Sequence, residues 1–273
     1  MQSIKHDAKE LAYIYDLYVA PMWREIFDRM VDEEIEFPKE GKFLDALCGT
    51  GGYAVDLSLR LGAKVAVVGI DPSEEKLILA RGKADIKKPN RTEFHASSLK
   101  NLSFPVGEFD LVVGDFSMLP VAEIEDALDE LVRVTKKGGT IVLKLATQGS
   151  FGEFFSIYWE ALYDLDLVGH SPEVERLISE PLTVGNAETM ALDAGLSKVR
   201  SVAKNERLDF SNGDEFFGSP LIASSFLDGW MAFLPDSETR GQVQQQLGKI
   251  IDRERQGASF DVSVKAALIV GQK

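Results

Sequence analysis

The chain has 273 residues, 45% of them hydrophobic, and a formal net charge of −14, enough apolar material for one substantial core or a core with an appended cap. So acidic a surface argues against nucleic acid as the substrate, because Lys and Arg neutralising phosphate supply most of that affinity. The lone Cys48 excludes an internal disulfide, no apolar run reaches the ~20 residues of a membrane span, and the N-terminus lacks a secretory apolar segment; a soluble cytoplasmic protein is expected.

Residues 1–40 read as two helices preceding a core. Leu11, Ile14, Tyr15 and Tyr18 share one face, and Trp23, Ile26, Phe27, Met30 and Val31 form a cleaner apolar stripe, with Pro21 placed to open the second helix. From 41 to 146, strands predicted at 43–47, 65–70, 92–95, 109–113 and 139–145 alternate with helices at 52–61, 73–83 and 121–134. Such alternation implies a parallel sheet with helices on both faces. Ser73 or Asp71 can cap the helix at 73–83.

Residues 147–184 depart from a minimal core. Phe151, Phe154, Phe155, Tyr158, Trp159, Leu162 and Tyr163 recur at helical spacing, and His170 follows in a Gly-His-Ser-Pro turn. Ser197 to Glu206 reads as a sixth strand. Residues 207–257 form a second insertion, with an apolar helix from Leu221 to Phe233 and an amphipathic one carrying Val243, Leu247, Ile250 and Ile251. Val262 to Val270 is the last predicted strand. No cluster has metal-ligand spacing.

The chemistry centres on the first strand of the alternating region. It runs into a loop holding Gly49, Gly51 and Gly52 and then into a helix. A strand that turns through glycines into a helix aims backbone N–H groups and a helix N-terminus at one point, which suits a negatively charged ligand group. Gly49, Gly51 and Ala54 also fit the dinucleotide form G-x-G-x-x-A. The next strand delivers Asp71 about twenty residues past the glycines, where an acid accepts hydrogen bonds from both hydroxyls of a ribose. Both features point to a nucleoside-containing cofactor without choosing between NAD and S-adenosylmethionine.

Four segments in order resemble class I S-adenosylmethionine-dependent methyltransferases: Leu44-Asp-Ala-Leu-Cys-Gly-Thr-Gly51, Ile70-Asp-Pro-Ser-Glu-Glu-Lys-Leu77, Phe109-Asp-Leu-Val-Val-Gly-Asp-Phe116, and the helix–glycine–strand from Leu131 through Gly138-Gly139 to Leu143. The layout is similar to the small-molecule branch that includes ubiquinone/menaquinone-type methyltransferases. The resemblance implies an α/β fold, a Rossmann-like doubly wound seven-stranded mostly parallel sheet with helical cap insertions. It divides the chain into an N-terminal helical cap (1–40), a cofactor-binding core (41–206 and 258–273, with an insertion at 147–184) and a substrate cap (207–257). Two positions depart from the family pattern. Leu47 stands where the first loop glycine is usual, and Ser98 where an acid often binds the adenine amino group.

By the same resemblance S-adenosylmethionine is the cofactor, its amino-acid end on Leu47, Gly49, Thr50 and Gly51. Asp71 then takes the ribose, with Pro72 and Lys76 of the same motif beside it. Ser97, Ser98 and Leu99 flank the adenine, and Asp115 and Phe116 lie near the sulfonium. Asp45, beneath the loop, is expected to hold loop N–H groups, and Tyr15 or Tyr18 to fold over the methionine end. Asp115 and His170 are the candidate general bases. Phe151, Phe155, Trp159 and Phe217 are candidates to line a chamber for a small, apolar or aromatic acceptor. The implied activity is methyl transfer (class EC 2.1.1) by direct in-line displacement, with no metal, no nucleic acid and no membrane span; a homodimer is compatible with it. Two other readings stay open, a nicotinamide-dependent oxidoreductase and a non-catalytic S-adenosylmethionine-binding scaffold.

Overall fold

The computed structural model describes residues 7–255 and 258–273; residues 1–6 and 256–257 of the predicted N-terminal and substrate caps lie outside the described residues. Asp7 caps the first helix, α1 (Ala8–Ile14), in a reciprocal capping box with Glu10. In place of two separate helices there is one helical run, α1 continuing through a π-helical segment (Tyr15–Arg24) into α2 (Glu25–Glu34). Pro21 therefore sits inside the run instead of opening a helix. Proline has no N–H to donate and crowds the carbonyl four residues back, and the wider i→i+5 turn takes up that misfit.

The alternating region follows as β1 (Gly41–Ala46), α3 (Gly52–Leu61), β2 (Val65–Asp71), α4 (Glu74–Lys87), β3 (Arg91–Ala96), β4 (Phe109–Asp115), α5 (Val121–Val134) and β5 (Thr135–Ala146). Strand β5 starts at Thr135 and not at 139, because Thr135 already pairs with Phe109 across a register shift before Leu111. Such an irregularity leaves no period-2 signal to read. Ser73 is the cap of α4, its hydroxyl accepting the Lys76 N–H at 3.2 Å.

Beyond β5 come α6 (Gly152–Asp164), a 3₁₀ turn (Val168–His170), α7 (Ser171–Ser179), α8 (Val184–Asp193) and β6 (Ser197–Phe210). Then follow α9 (Gly213–Gly218), α10 (Pro220–Ser225), α11 (Leu227–Met231), α12 (Ser237–Arg255) and β7 (Phe260–Gln272). The helix expected over Leu221–Phe233 is thus two short ones. They part at Phe226, whose φ of −122° and ψ of −39° leave the helical well. The seven strands form one sheet in the order β3-β2-β1-β4-β5-β7-β6. β1 pairs in parallel with β2 and β4, β2 with β3, and β4 with β5. Every residue of β2 is buried, as expected of a parallel strand covered on both faces.

The chain divides into two compact units. The first comprises residues 1–145, 184–203 and 267–273, and contains the glycine loop and every candidate cofactor residue. The second comprises 146–183 and 204–266. Its core is a cluster of rings: Phe154 stacks on Trp230 at 4.7 Å and lies 5.2 Å from Phe216, and Trp230 stacks in turn on Phe226 at 5.3 Å. Glu153 ties α6 to β7 by accepting from the Ser263 amide (2.9 Å) and hydroxyl (2.6 Å), and these donors hold its carboxyl below the usual range against the opposing effect of burial.

Candidate functional site

The parallel register sets Ala46 of β1 against Ile70 of β2 and Gly114 of β4. The three strands therefore end together, and Leu47, Asp71 and Asp115 lie side by side at the carboxyl edge of the sheet, where ligands of open α/β sheets bind. The loop from Leu47 to Gly51 turns sharply. Leu47, Gly49 and Gly51 have φ of 60°, 58° and 70°. The Cys48 amide reaches back to the Ile70 carbonyl (2.8 Å), and the Gly51 amide to that of Cys48 (3.0 Å).

Leu47 thus adopts the left-handed backbone conformation that glycine takes without strain. The left-handed region costs an L-residue roughly 1–2 kcal/mol, whereas glycine in that place gives back ~0.4–1 kcal/mol through its freer unfolded chain. Since the Leu47 side chain is only half-buried, Leu47→Gly is expected to raise unfolding stability by a few tenths to about 1 kcal/mol in urea titration. A loss of similar size would show instead that side-chain packing outweighs the strain.

Asp71 is the residue that holds the loop. Its Oδ2 accepts the Gly49 N–H at 3.0 Å and its Oδ1 the Ser73 N–H at 2.9 Å. That duty was expected of Asp45, which is committed elsewhere. Both Asp45 oxygens accept from Nη2 of Arg24, at 2.8 and 2.9 Å. Nη1 of Arg24 donates to the Leu47 carbonyl (2.7 Å) and to Asp115 Oδ2 (3.1 Å), and Nε faces Asp28 at 3.3 Å. Lys144, fully buried on β5, completes the cluster by pairing with Asp28 and lying 4.9 Å from the Tyr53 ring. Burial works against the Arg24 charge, but Asp45, Asp28 and Asp115 outweigh it and hold the guanidinium protonated. Burial pushes the Asp45 carboxyl up, opposed by Arg24 and Lys144. It also raises the Cys48 thiol well above its ordinary value, with Asp45 and Asp71 adding to the effect, so Cys48 is no nucleophile here.

The π-helical segment lies on this loop. A Cβ at Gly49 would fall 2.6 Å from Cε1 and 2.7 Å from the hydroxyl of Tyr15. Lys76 stands 4.1 Å above the same ring, and burial pushes the Tyr15 phenol far above its usual range. Tyr18 does not share the position; it is 49% exposed. Asp16 accepts from the Thr50 hydroxyl at 2.5 Å and pairs with Lys83, whose ammonium also donates to the Thr50 carbonyl at 3.0 Å. On the far side of Asp115, Oδ1 accepts from the Ser117 hydroxyl (2.6 Å), which accepts in turn from the Trp23 indole N–H (2.9 Å).

The remaining predicted residues scatter. The Ser97 amide reaches the Asp71 carbonyl at 3.2 Å, Leu99 is buried, and Ser98 is exposed, its hydroxyl accepting the Lys100 amide. Phe116 is buried against Gly114. His170 belongs to the second unit, its ring 5.8 Å from Phe233. Phe151, Phe155 and Phe217 are buried in the ring cluster of that unit, and Trp159 is 39% exposed. A groove of about 770 Å³ opens beside the loop, lined by Asp16, Arg24, Asp28, Thr50, Tyr53 and Lys83 among others. Of the predicted cofactor residues Thr50 lines it, and Asp71, Ser98 and Asp115 do not.

Arg24, Asp16, Lys83 and Lys144 were not anticipated as site residues, yet two of them leave a trace in the sequence. Arg24 stands three and seven residues before Phe27 and Val31, a cation on the apolar stripe, and Lys144 interrupts the apolar run Ile141 to Leu145. A charge at a position the pattern marks as buried is almost always paired.

The donors present suit S-adenosylmethionine. The backbone turns through two glycines with positive φ, and Asp71, having accepted two N–H groups, retains further lone pairs for ribose hydroxyls. Comparison with known proteins agrees. Residues 43–139 match the profile of a family described as methyltransferase domain. A demethylmenaquinone methyltransferase of Shouchella clausii is 33% identical over 117 residues, 42% of this chain and 49% of that protein. Over residues 43–139 the chain is thus similar to methyltransferase domains.

Solved structures at low sequence identity share the fold. The YcgJ protein of Bacillus subtilis superposes with a TM-score of 0.60 at 17% identity, covering 91% of this chain and 98% of its own. Phosphoethanolamine N-methyltransferase 2 of Haemonchus contortus, solved with S-adenosyl-L-methionine, gives 0.57 at 14% identity, covering 99% of this chain and 58% of its own. The chain spans about half the length of the curated relatives it matches. Among the described residues, no helix is long and apolar enough to cross a membrane.

Proposed function

We propose that this chain transfers a methyl group from S-adenosylmethionine to a small, apolar or aromatic acceptor by direct in-line displacement. The observation that carries the reading is the 3.0 Å bond between the Gly49 amide and Asp71, which joins the glycine bend of β1 to the acid of β2 within the region similar to methyltransferase domains. Gly49, Thr50 and Gly51 would hold the amino-acid end, Asp71 the ribose, and Ser98 and Leu99 the adenine, with Asp115 and Phe116 near the positive centre. When bound, the cofactor supplies an electrophilic methyl carbon. The protein holds the reacting atoms in line, which is worth roughly 7–11 kcal/mol. Asp115 is fixed for such a task by Arg24 and Ser117; a general base there, or at His170, would add ~10²–10⁴-fold for an oxygen or nitrogen nucleophile.

The curated relatives named demethylmenaquinone methyltransferase support a quinol-like ring as the acceptor, which accords with an aromatic acceptor. No nucleic acid, and a cytoplasmic setting for the reaction, complete the proposal. Asp71→Ala is expected to weaken S-adenosylmethionine binding by ~1.5–3 kcal/mol, the scale of hydrogen bonds to a charged group, in calorimetric titration of the folded variant. Unchanged affinity would remove Asp71 from the site, and tight binding of NAD in place of S-adenosylmethionine would overturn the reading. Methyl release against a panel of quinols, phenols, amines and acids tests the acceptor class, and failure with every member would leave a binding scaffold.

A further inference from the structure

We propose that Trp23, Ser117 and Arg24 are positioning residues that set the Asp115 carboxylate against the sulfonium of S-adenosylmethionine. The site then reads the one positive charge that separates the cofactor from its demethylated product. The proposal rests on the functional reading above and deepens it, because it ties Asp115 to one charge on the ligand and gives three residues outside the predicted site a part in holding it.

The carboxylates at the ends of β1 and β4 are one positive charge short. Asp28, Asp45 and Asp115 meet two cations, Arg24 and Lys144. Asp45 accepts from Nη2 of Arg24 on both oxygens, at 2.8 and 2.9 Å, and Asp28 pairs with Lys144 and with Nε of Arg24 at 3.3 Å. Asp115 receives a single contact, at 3.1 Å, from a guanidinium it shares with the other two acids. The unbalanced negative charge therefore lies at Asp115. Asp45 and Lys144 are fully buried and Asp115 is 8% exposed, so water does little to screen it, and a buried charge without its counterpart is costly. A ligand with a net positive charge supplies what is missing; a neutral one does not.

The carboxylate is aimed as well as charged. An indole N–H donates and never accepts, so the 2.9 Å bond from Trp23 makes the Ser117 oxygen an acceptor and leaves its O–H to Asp115 Oδ1, 2.6 Å away. The Ser117 amide approaches the same oxygen at 3.3 Å. Asp115 is thus held on both sides, Oδ1 by Ser117 and Oδ2 by Arg24. Trp23 is 2% exposed and precedes Arg24 on the π-helical segment, so both fastenings trace to one turn of backbone packed on the glycine loop. Burial, opposed by Arg24, pushes the Tyr15 phenol far above its usual range, and Asp115 and Asp71 add to the effect. Both acids therefore adjoin the ring that lies on Gly49, where the resemblance sets the methionine end of the cofactor.

The test compares S-adenosylmethionine with S-adenosylhomocysteine, which keeps the adenosyl, ammonium and carboxylate groups and lacks the positive sulfur. Each is titrated calorimetrically into the unmutated chain and into Asp115→Asn, Ser117→Ala and Trp23→Phe. Asp115→Asn is expected to weaken S-adenosylmethionine about tenfold or more, since it removes a charge at short range. Ser117→Ala and Trp23→Phe, each removing one hydrogen bond, should weaken it about threefold to tenfold. S-adenosylhomocysteine is expected to bind every variant as it binds the unmutated chain, which also reports that the variant is folded. Ser117→Ala removes a single oxygen and decides the matter if the other two do not fold. Equal losses for both ligands, the mark of a structural role or of a contact with the ammonium, overturn the inference, as does an unchanged preference between them. Absence of binding of either ligand by the unmutated chain overturns the functional reading, and this inference with it.

Discussion

Trp230→Ala is expected to lower the unfolding free energy of the second unit by about 3–5 kcal/mol, the range for removing a large ring from a closed core. Trp230 is 7% exposed and meets four rings: it stacks on Phe154 (4.7 Å) and Phe226 (5.3 Å) and stands edge-on to Phe151 (4.9 Å) and Phe155 (5.6 Å). Set against a total stability of roughly 5–15 kcal/mol, that loss is large enough to bring the second unit near its unfolding midpoint at modest urea. If the units unfold separately, the urea curve of the variant will split into two transitions. Trp159 provides the control. It sits on α6 at 39% exposure, and Trp159→Ala should move stability by less than about 1 kcal/mol, as surface substitutions generally do. A loss below 1 kcal/mol for Trp230→Ala as well would contradict the ring cluster. Loss of methyl transfer in Trp159→Ala without loss of stability would place that side chain against the acceptor.

The alternating sheet and the glycine bend were legible in the sequence because each is a local signal. A buried parallel strand is a short apolar run, and a turn that needs positive φ asks for glycine. Helices 52–61 and 121–134 were read with the bounds they have in the fold for the same reason, an apolar stripe ended by a glycine or a β-branched run. The polar wiring beneath the loop was not legible, because it is set by which charges meet across the fold. Asp45 and Asp71 both end strands, and nothing in their neighbours tells which will hold the loop amide. The answer depends on Arg24, 21 positions before Asp45. The π-helical segment was hidden for a different reason: Pro21 reads as the start of a helix, and only packing against the loop makes the wider turn worthwhile. Phe226 escaped notice in the same way, since an apolar run with a break of one residue has the composition of an unbroken helix.

Gly51→Ala is expected to destabilise the first unit by about 2–5 kcal/mol, joining a left-handed strain of roughly 1–2 kcal/mol to an overpacking penalty of about 1–3 kcal/mol. At Gly51 φ is 70°, and an added Cβ would lie 2.5 Å from Cβ of Ala80 and 2.7 Å from the Phe94 ring. Neither neighbour yields easily. Ala80 is fully buried on α4, and Phe94 is buried on β3 and also fills the space beside Gly69. Relief has to come from the loop, so the Gly49 amide is expected to draw away from Asp71 and S-adenosylmethionine affinity to fall with stability. Gly52, one residue on, isolates the cause. It is the first residue of α3, and a Cβ there would meet only the Lys83 ammonium, at 3.7 Å. Alanine is a better helix former than glycine by ~0.8–1.0 kcal/mol in a helix interior, and by less at its first turn. Gly52→Ala should therefore leave stability unchanged or slightly raised. Urea titration of the two variants separates a general intolerance of side chains in the loop, which would lower both, from the specific crowding of Gly51, which lowers one. Equal small effects at both positions would mean that α4 can give way, and that the loop is held by Asp71 and Arg24 rather than by its packing on Ala80 and Phe94.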